Sequence, residues 1–273
     1  MSRILIVGCG HLGSAIGIRL AAQGHGVWGM RRDPSKLPMN LNPVEGDVTI
    51  PNTLRRIPDV DLVLYLVRPD RDDEATLSGT LTRGPRYLVE AFRAKGLRPK
   101  RFFVGSSVSV FGDRGGEWVD EDSEPKPRDA MAVALHAGER LLREAEAPVT
   151  VLRYGEVYGP DRPGLRDALR RGAGVFPNPT AHANLIHIRD AVEATLHLLT
   201  RKRLEPLYLM VDRKPAPRLE VLAWLAEHHG AQLPAVDGAV AAPYDVRAMS
   251  ERLVESGFRF QYPTYREGYR RLR

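Results

Sequence analysis

The sequence predicts an α/β fold: a doubly wound parallel sheet followed by a smaller C-terminal α/β region. Three observations carry that prediction. They are apolar runs of strand length, helical apolar spacing in the segments between them, and a glycine turn joining the first strand to the first helix. "RILIVGCGHLGSAIGIRLAAQG" opens with a buried-type strand, Arg3 to Val7, turns at its glycines and enters a helix with Ile16, Leu20 and Ala21 at helical spacing. The strand "GVWGMRR" follows Gly24 and ends at Arg31 and Arg32, where "DPSKL" turns the chain away. A short strand before "EGDVT", the strand "DLVLYLV" from Asp61 and a helix near "GPRYLVEAFRAKG" come next. The strand "RFFVGSS", a helix over "RDAMAVALHAGERLL" and the strand "VTVLRYG" complete the alternation, with no internal repeat or low-complexity segment.

Composition bounds the function. The chain has 273 residues, 43% of them hydrophobic, enough for a substantial core in one domain or a domain and a half. Its apolar runs fall far short of the roughly 20 residues a membrane span requires, and the N-terminus enters a strand by Ile4 without the succession of a secretory signal. The expectation is a soluble, cytoplasmic protein with no membrane partner. A single cysteine, Cys9, excludes an internal disulfide framework. The net charge of +6 comes from 40 basic and 34 acidic residues interspersed along the chain. Dispersed charge makes no nucleic-acid footprint, so the expected partner is a small-molecule substrate.

Gly8, Gly10 and Gly13 form G-x-G-x-x-G after a strand and at the start of a helix, inside a unit of about 30 residues. That context is what dinucleotide binding demands. Gly8 permits the tight turn, Gly10 lets a pyrophosphate approach the backbone, Gly13 lets helix pack on strand, and the phosphates meet the helix N-terminus. The end of the second strand selects the cofactor: an acid there bonds the ribose hydroxyls of NAD, whereas Arg31 and Arg32 pair with a 2′-phosphate. NADP is therefore expected. Asp33 lies late and before Pro34, as a turn residue does, and NAD is the alternative it would serve.

The later motifs come in the order of a known family. "GCGHLG", "EGDVT", "FFVGSSVSVFGD", "WVDEDSEPKP", "VTVLRYGEVYGPDR", "NLIHIRDAVEATLHLL", "PLYLMVDRKPAPRLEVLAWLAEHHG" and "SGFRFQYPTYREGYRRL" together resemble the extended short-chain dehydrogenase/reductase superfamily, in its NAD(P)-dependent epimerase/dehydratase-like branch. The resemblance covers nearly the whole chain. It implies a dinucleotide-binding Rossmann domain over 1–157 and a smaller substrate-side region over 158–273, with the segment 185–204 packing back on the first domain. It also implies cofactor contacts at Gly8, Gly10, His11, Leu12, Gly13, Arg31, Arg32, Asp47, Val48, Val67 and Ser106, Asp47 standing where the family has an acid that reaches the adenine. Nucleotide sugars are common substrates in the family, but a substrate is not inherited with a fold.

At the catalytic helix the chain departs from that pattern. The family's Tyr-x-x-x-Lys pair, counted back from Glu139, falls on Met131 and Leu135, neither of which exchanges a proton. Both share one helix face, which is apolar rather than rotated away; His136 is rotated by about 100° from it. Ser107 aligns with the serine that bonds the reacting oxygen in the family, and its alternative is a hydroxyl satisfied by backbone at a strand end. Phe111 replaces the tyrosine of a Val-Tyr-Gly match. Tyr154, Tyr158, Asp113, Glu117 and Asp120 are the other candidate proton carriers, Asp120 and Glu121 reading equally well as solvated loop acids. His182, Asn184 and His187 suit no common zinc template. His228 and His229 read as caps of a helix ending before Gly230, and Trp224 as core.

Two functions follow. One is an NADP(H)-dependent oxidoreductase or epimerase-like enzyme on a small carbonyl or sugar-type substrate, with its proton from Ser107, a tyrosine, the substrate or water. The other is a non-catalytic dinucleotide-binding redox sensor or scaffold. The small and apolar stripe of "MAVALHAGERLLREA" also suits pairing across a twofold axis, and a homodimer is expected.

Overall fold

A computed structural model describes residues 1–143, 145–162, 164–170, 176–177, 180–230, 232–233, 236–237 and 244–272. Its elements run β1 (Arg3–Val7), α1 (His11–Ala22), β2 (Gly26–Arg31), β3 (Asn42–Glu45), β4 (Leu62–Tyr65), α2 (Glu74–Leu77), α3 (Gly84–Ala94), β5 (Arg101–Ser107) and β6 (Glu117–Val119). Then come α4 (Ala130–Arg143), β7 (Val149–Tyr154), β8 (Glu156–Tyr158), α5 (Leu165–Arg170), β9 (Phe176–Pro177), β10 (His182–Ala183), β11 (Leu185–His187), α6 (Ile188–Leu199) and β12 (Leu207–Met210). The chain closes with β13 (Ala216–Pro217), α7 (Arg218–His229), β14 (Val236–Asp237), β15 (Val246–Ala248), α8 (Glu251–Glu255) and α9 (Tyr265–Arg270).

Seven strands form the central parallel sheet in the order β12-β7-β5-β4-β1-β2-β3. The order reverses beside β1, because the chain winds outward first through β2 and β3 and then through β4, β5 and β7 on the other side. Such a reversal opens a crevice at the C-terminal ends of the strands, next to the turn after β1. Ile4, Leu5, Ile6 and Val7 are all buried, as a strand covered on both faces requires.

The chain divides into two compact units: Met1–Ser106 with Ala130–Leu152 and Thr195–Leu207, and Ser107–Asp129 with Arg153–Ala194 and Tyr208–Arg273. In the first, Leu5, Val7, Val63, Tyr65, Phe102 and Val104 of the sheet pack with Leu88 and Phe92 of α3. A π-helical stretch, Ser78–Arg83, joins α2 to α3. The sequence reading placed a helix only near 84–96. In the second unit the core gathers Tyr158, Leu165, Leu185, Val221, Leu225, Tyr265 and Tyr269. Short pairs stitch this unit together: β8 with β11 and β6 with β15 in parallel, and β10 with β13 antiparallel. The single boundary expected at 157/158 differs from this division. Segments that leave the ends of β5 and β7 enter the second unit, and Thr195–Leu207 clusters with the first. Among the described residues no helix is long and apolar enough to cross a membrane.

Candidate functional site

The glycine turn has a tight, sterically defined backbone. Gly8 has φ +82°, and a Cβ there would stand 2.5 Å from the backbone nitrogen of Val67. At Gly13 a Cβ would meet the Gly8 carbonyl and Ile6 Cγ2, both at 3.1 Å, so α1 lies directly on β1. At Gly10 it would meet nothing closer than the Gly8 carbonyl at 3.9 Å, leaving room over the turn. Gly10 is also the N-cap of α1 and brings no capping side chain, which leaves the first-turn amides for an anion.

Beside this turn lies a cavity of about 590 Å³, whose lining includes Gly8, Gly10, Arg31, Arg32, Asp47, Val48 and Val67. It thus unites most of the expected cofactor residues; His11, Leu12, Gly13 and Ser106 are outside the lining. The Asp47 carboxylate accepts from Thr49 N (2.8 Å) and Oγ1 (2.7 Å), which fixes one of its oxygens in a turn. Asp33 acts as the turn residue expected, its carboxylate accepting from Ser35 N at 3.1 Å and Oγ at 2.6 Å; the bond from the Ser35 hydroxyl leads in holding it below the usual carboxylate range. Arg31 Nη1 donates to the Lys36 carbonyl (3.3 Å), and Arg32 Nη1 pairs with Asp70 Oδ2 (3.1 Å).

Lys36, Arg68, Arg71 and Arg83 also line the cavity, which sequence reasoning missed. The lining therefore carries six cationic side chains against Asp33, Asp47 and Asp70, an excess suited to a phosphate-bearing ligand. No local pattern marks Arg83: it reaches the cavity because the π-helical stretch carries Gly79, Thr80 and Arg83 along its wall. Tyr65 Oη, donating to the Thr80 carbonyl at 2.5 Å, ties that stretch to the end of β4. Ser106 is 8% exposed, and its Oγ has no partner among the described residues. On α4, Met131 and Leu135 are half-buried and pack with Leu77, Leu81 and Ala134. His136 Nδ1 lies 3.5 Å from the buried Glu139 carboxylate.

The second unit holds the other candidates. Ser107 caps the turn Val108–Phe111, its Oγ accepting from Ser109 N at 3.1 Å and its own proton having no acceptor among the described residues. Phe111 is fully buried under the Arg153 guanidinium, 4.8 Å from the ring centre. Tyr154 is 7% exposed on β7. Asp113 and Asp120 accept local bonds, from Gly115 N (3.0 Å) and Ser123 Oγ (2.7 Å), while Glu117 is exposed on β6.

Tyr158 calls for a correction. It is 1% exposed, stacked on Tyr269 with centroids 4.2 Å apart, and burial raises its hydroxyl far above the ordinary phenol range. A group so desolvated holds its proton, so Tyr158 is a core residue rather than a proton donor. His182, Asn184 and His187 point to different partners: Asp245, the backbone of Val246 and Ala248, and the rings of Tyr158 and Tyr262. His228 stacks on Trp224 with centroids 4.8 Å apart, and Gly230 ends α7 in the left-handed region.

His187 supports a stability prediction. It is 2% exposed, and burial lowers its pKa from 6.5 to about 4. The unfolded chain then binds more protons than the folded one between those values, so this contribution is present above pH 6.5 and is lost as pH falls toward 4. His187→Phe is expected to lessen the fall in urea-unfolding free energy across that window. An unchanged slope would assign acid sensitivity to other groups.

Known proteins match this architecture. The model of the NAD dependent epimerase/dehydratase family matches residues 4–208. A 3-diazoavenalumate denitrifying reductase from a Streptomyces species is 31% identical over 264 residues, spanning 88% of this chain and 86% of its own. A structure from Methylobacillus flagellatus, named for an NAD-dependent epimerase/dehydratase, superimposes with TM-score 0.83 at 32% identity, covering 98% of this chain and 96% of that one. MoeE5, solved with UDP-glucuronic acid and NAD, superimposes with TM-score 0.78 at 25% identity over 97% and 96% of the two chains. With its glycine turn at the crevice of a doubly wound sheet, this chain belongs to the NAD-dependent epimerase/dehydratase family and is an NAD(P)-dependent oxidoreductase/epimerase-type enzyme.

Proposed function

We propose that this protein is an NADP(H)-dependent reductase of a small unsaturated electrophile. The observation that carries the reading is the cationic excess of the cavity beside the glycine turn, with Arg31 and Arg32 at the end of β2 where a 2′-phosphate would meet them. The residues present fit the dinucleotide. Gly10 leaves open the space a pyrophosphate needs, the uncapped α1 supplies amides, and one Asp47 oxygen is left to accept from an adenine amine. The nicotinamide, when bound, supplies the hydride. Reduction rather than epimerisation is supported by the reductase relative, whose name also widens the acceptor class from carbonyl and sugar-type compounds to diazo compounds.

In this reading Met131 and Leu135 hold the places of the family's tyrosine and lysine. Their packing on Leu77 and Leu81 makes an apolar wall with no titrating group. Chemistry must then take its proton elsewhere or use an acceptor that needs none. NADPH oxidation measured against 4-nitrobenzaldehyde, a cyclic imine and an aryl diazonium tests the reading. Turnover with any of them supports it, and tight NADPH binding without turnover would favour a redox sensor. Installing Met131→Tyr together with Leu135→Lys is expected to change aldehyde turnover at least about tenfold, more than Ser107→Ala does. If Ser107→Ala alone abolished turnover, the serine would be the proton-handling group instead.

A further inference from the structure

Six cationic side chains line the cavity of the first unit, and they are not equally engaged. Arg32 pairs with Asp70 (3.1 Å), Lys36 with Asp33 (3.4 Å) and Arg71 with Asp73 (3.3 Å), while Arg31 donates to a backbone carbonyl. Arg68 and Arg83 have no hydrogen bond or ion pair with any described residue. A cation held at a cavity wall without a partner is available to an anionic ligand. The two stand in different places. Arg83 Nη2 lies 3.6 Å from where a Cβ of Gly79 would be, and Thr49 Cγ2 lies 3.4 Å from the same point, so Arg83 belongs to the side of the Asp47–Thr49 turn. Arg68 belongs to the side of the glycine turn.

That position follows from the backbone. Leu66 N donates to the Val7 carbonyl at 2.8 Å, which lashes the loop after β4 to the end of β1. Val67 comes next, its N and Cα 2.5 and 2.6 Å from the place of a Gly8 Cβ, so loop and turn touch backbone to backbone. Arg68 is one residue further on. Pro69 biases it to extended backbone, and Asp70 is tied to Arg32 at the end of β2, on the other side of β1. At the far end of the loop Asp73 caps α2, accepting from Thr76 N at 2.9 Å. The segment is therefore held beside the turn at both ends and in the middle, with the Arg68 residue itself exposed.

We propose that Arg68 binds the pyrophosphate of the dinucleotide, meeting it from the β4 side while the first-turn amides of α1 hold it from the other. The proposal rests on the dinucleotide reading of this cavity and adds a residue that serves NADPH and NADH alike, whereas Arg31 and Arg32 act on the 2′-phosphate alone. Charge supplies the reason. A helix N-terminus is equivalent to about half a positive charge, and a pyrophosphate diester carries a negative charge on each phosphate. The amides alone leave most of that charge uncompensated. A guanidinium brings a full charge and a planar fork that bonds two phosphate oxygens at once. Because Arg68 has no partner to give up, the contact forms without breaking an ion pair.

The test is calorimetric titration of the full chain with NADPH, NADH and ADP-ribose, which share the pyrophosphate. Arg68→Gln is expected to weaken all of them by a similar factor, at least about tenfold. Arg68→Lys keeps the charge but loses the fork, and should recover only part of that loss. Phosphorus NMR of bound NADPH gives a readout independent of affinity. Arg68→Gln should shift the pyrophosphate signals and leave the 2′-phosphate signal in place, and Arg31→Ala with Arg32→Ala should do the reverse. The urea-unfolding midpoint of Arg68→Gln should not move, because an exposed side chain without a partner loses no contact.

A loss confined to NADPH would make Arg68 a 2′-phosphate residue, and a loss on both dinucleotides but not on ADP-ribose would put it at the nicotinamide. Either result overturns the proposal and leaves the dinucleotide reading standing. So would affinities that Arg68→Gln leaves unchanged, or that Arg68→Lys restores in full, since the residue would then be one more charge in the general field of the cavity. A wild-type protein that binds none of these ligands would overturn both.

Discussion

Gly8→Ala is expected to abolish dinucleotide binding and to destabilise the fold by about 3 kcal/mol, through the left-handed backbone and the clash it creates. The residue sits at φ +82°, and its new methyl would lie 2.5 Å from Val67 N, 2.6 Å from Val67 Cα and 2.7 Å from Leu66 C. Those atoms are backbone, and they cannot swing aside as a side chain would. Leu66 N donates to the Val7 carbonyl at 2.8 Å, and Gly8 N to Met30 at 3.3 Å, so any shift disturbs the sheet on both sides of β1. Gly10→Ala is the control that separates binding from folding. Its methyl would meet only the Gly8 carbonyl at 3.9 Å, so stability should stay within about 0.5 kcal/mol while the space for a pyrophosphate is filled. Urea unfolding and calorimetric titration with NADPH measure both. A Gly8→Ala protein less than about 1 kcal/mol weaker would show that the loop after β4 yields, contrary to the packing described.

The second large effect concerns cofactor choice. NADPH is expected to bind at least about tenfold more tightly than NADH, and Arg31→Ala with Arg32→Ala is expected to remove most of that preference, because each charge-assisted bond to a phosphate contributes about 1.5–3 kcal/mol. Neither arginine is committed elsewhere. Arg31 donates only a 3.3 Å bond to a carbonyl, and the Arg32 side chain is 66% exposed in its pair with Asp70. An ion pair so open to solvent is weak and gives little resistance to an incoming phosphate. Equal affinities for the two cofactors in the wild-type protein would refute the arginine assignment, and Arg68 or Arg83 would then be the next residues to replace.

Much of the first unit was legible because its signals are local. The glycine spacing, the apolar spacing of the helix that follows and the strand running up to Arg31 each lie within a few residues, and the turn, α1 and β2 form where those patterns put them. The cavity was legible only in part. Arg83 stands 50 residues from Asp33, and what brings them to one lining is the strand order together with a π-helical stretch that apolar periodicity does not reveal. Gly138 makes the same point: a Cβ there would collide with the Leu81 carbonyl, so this glycine sets how closely α4 approaches that stretch, and nothing in "LHAGERLL" marks it out.

The second unit was the less legible one, since its short strands pair across long separations and its polar residues take their roles from distant partners. By itself the sequence determined the α/β alternation, the dinucleotide turn and the apolar face at Met131 and Leu135, because covalent neighbours and helical or strand periods create those features. Only the tertiary structure decided that Tyr158 is core and that Asp245, 63 residues away, orients the His182 ring. A side chain's chemistry depends on its solvent and its hydrogen-bond partner, and for both residues these come from parts of the chain that meet only on folding.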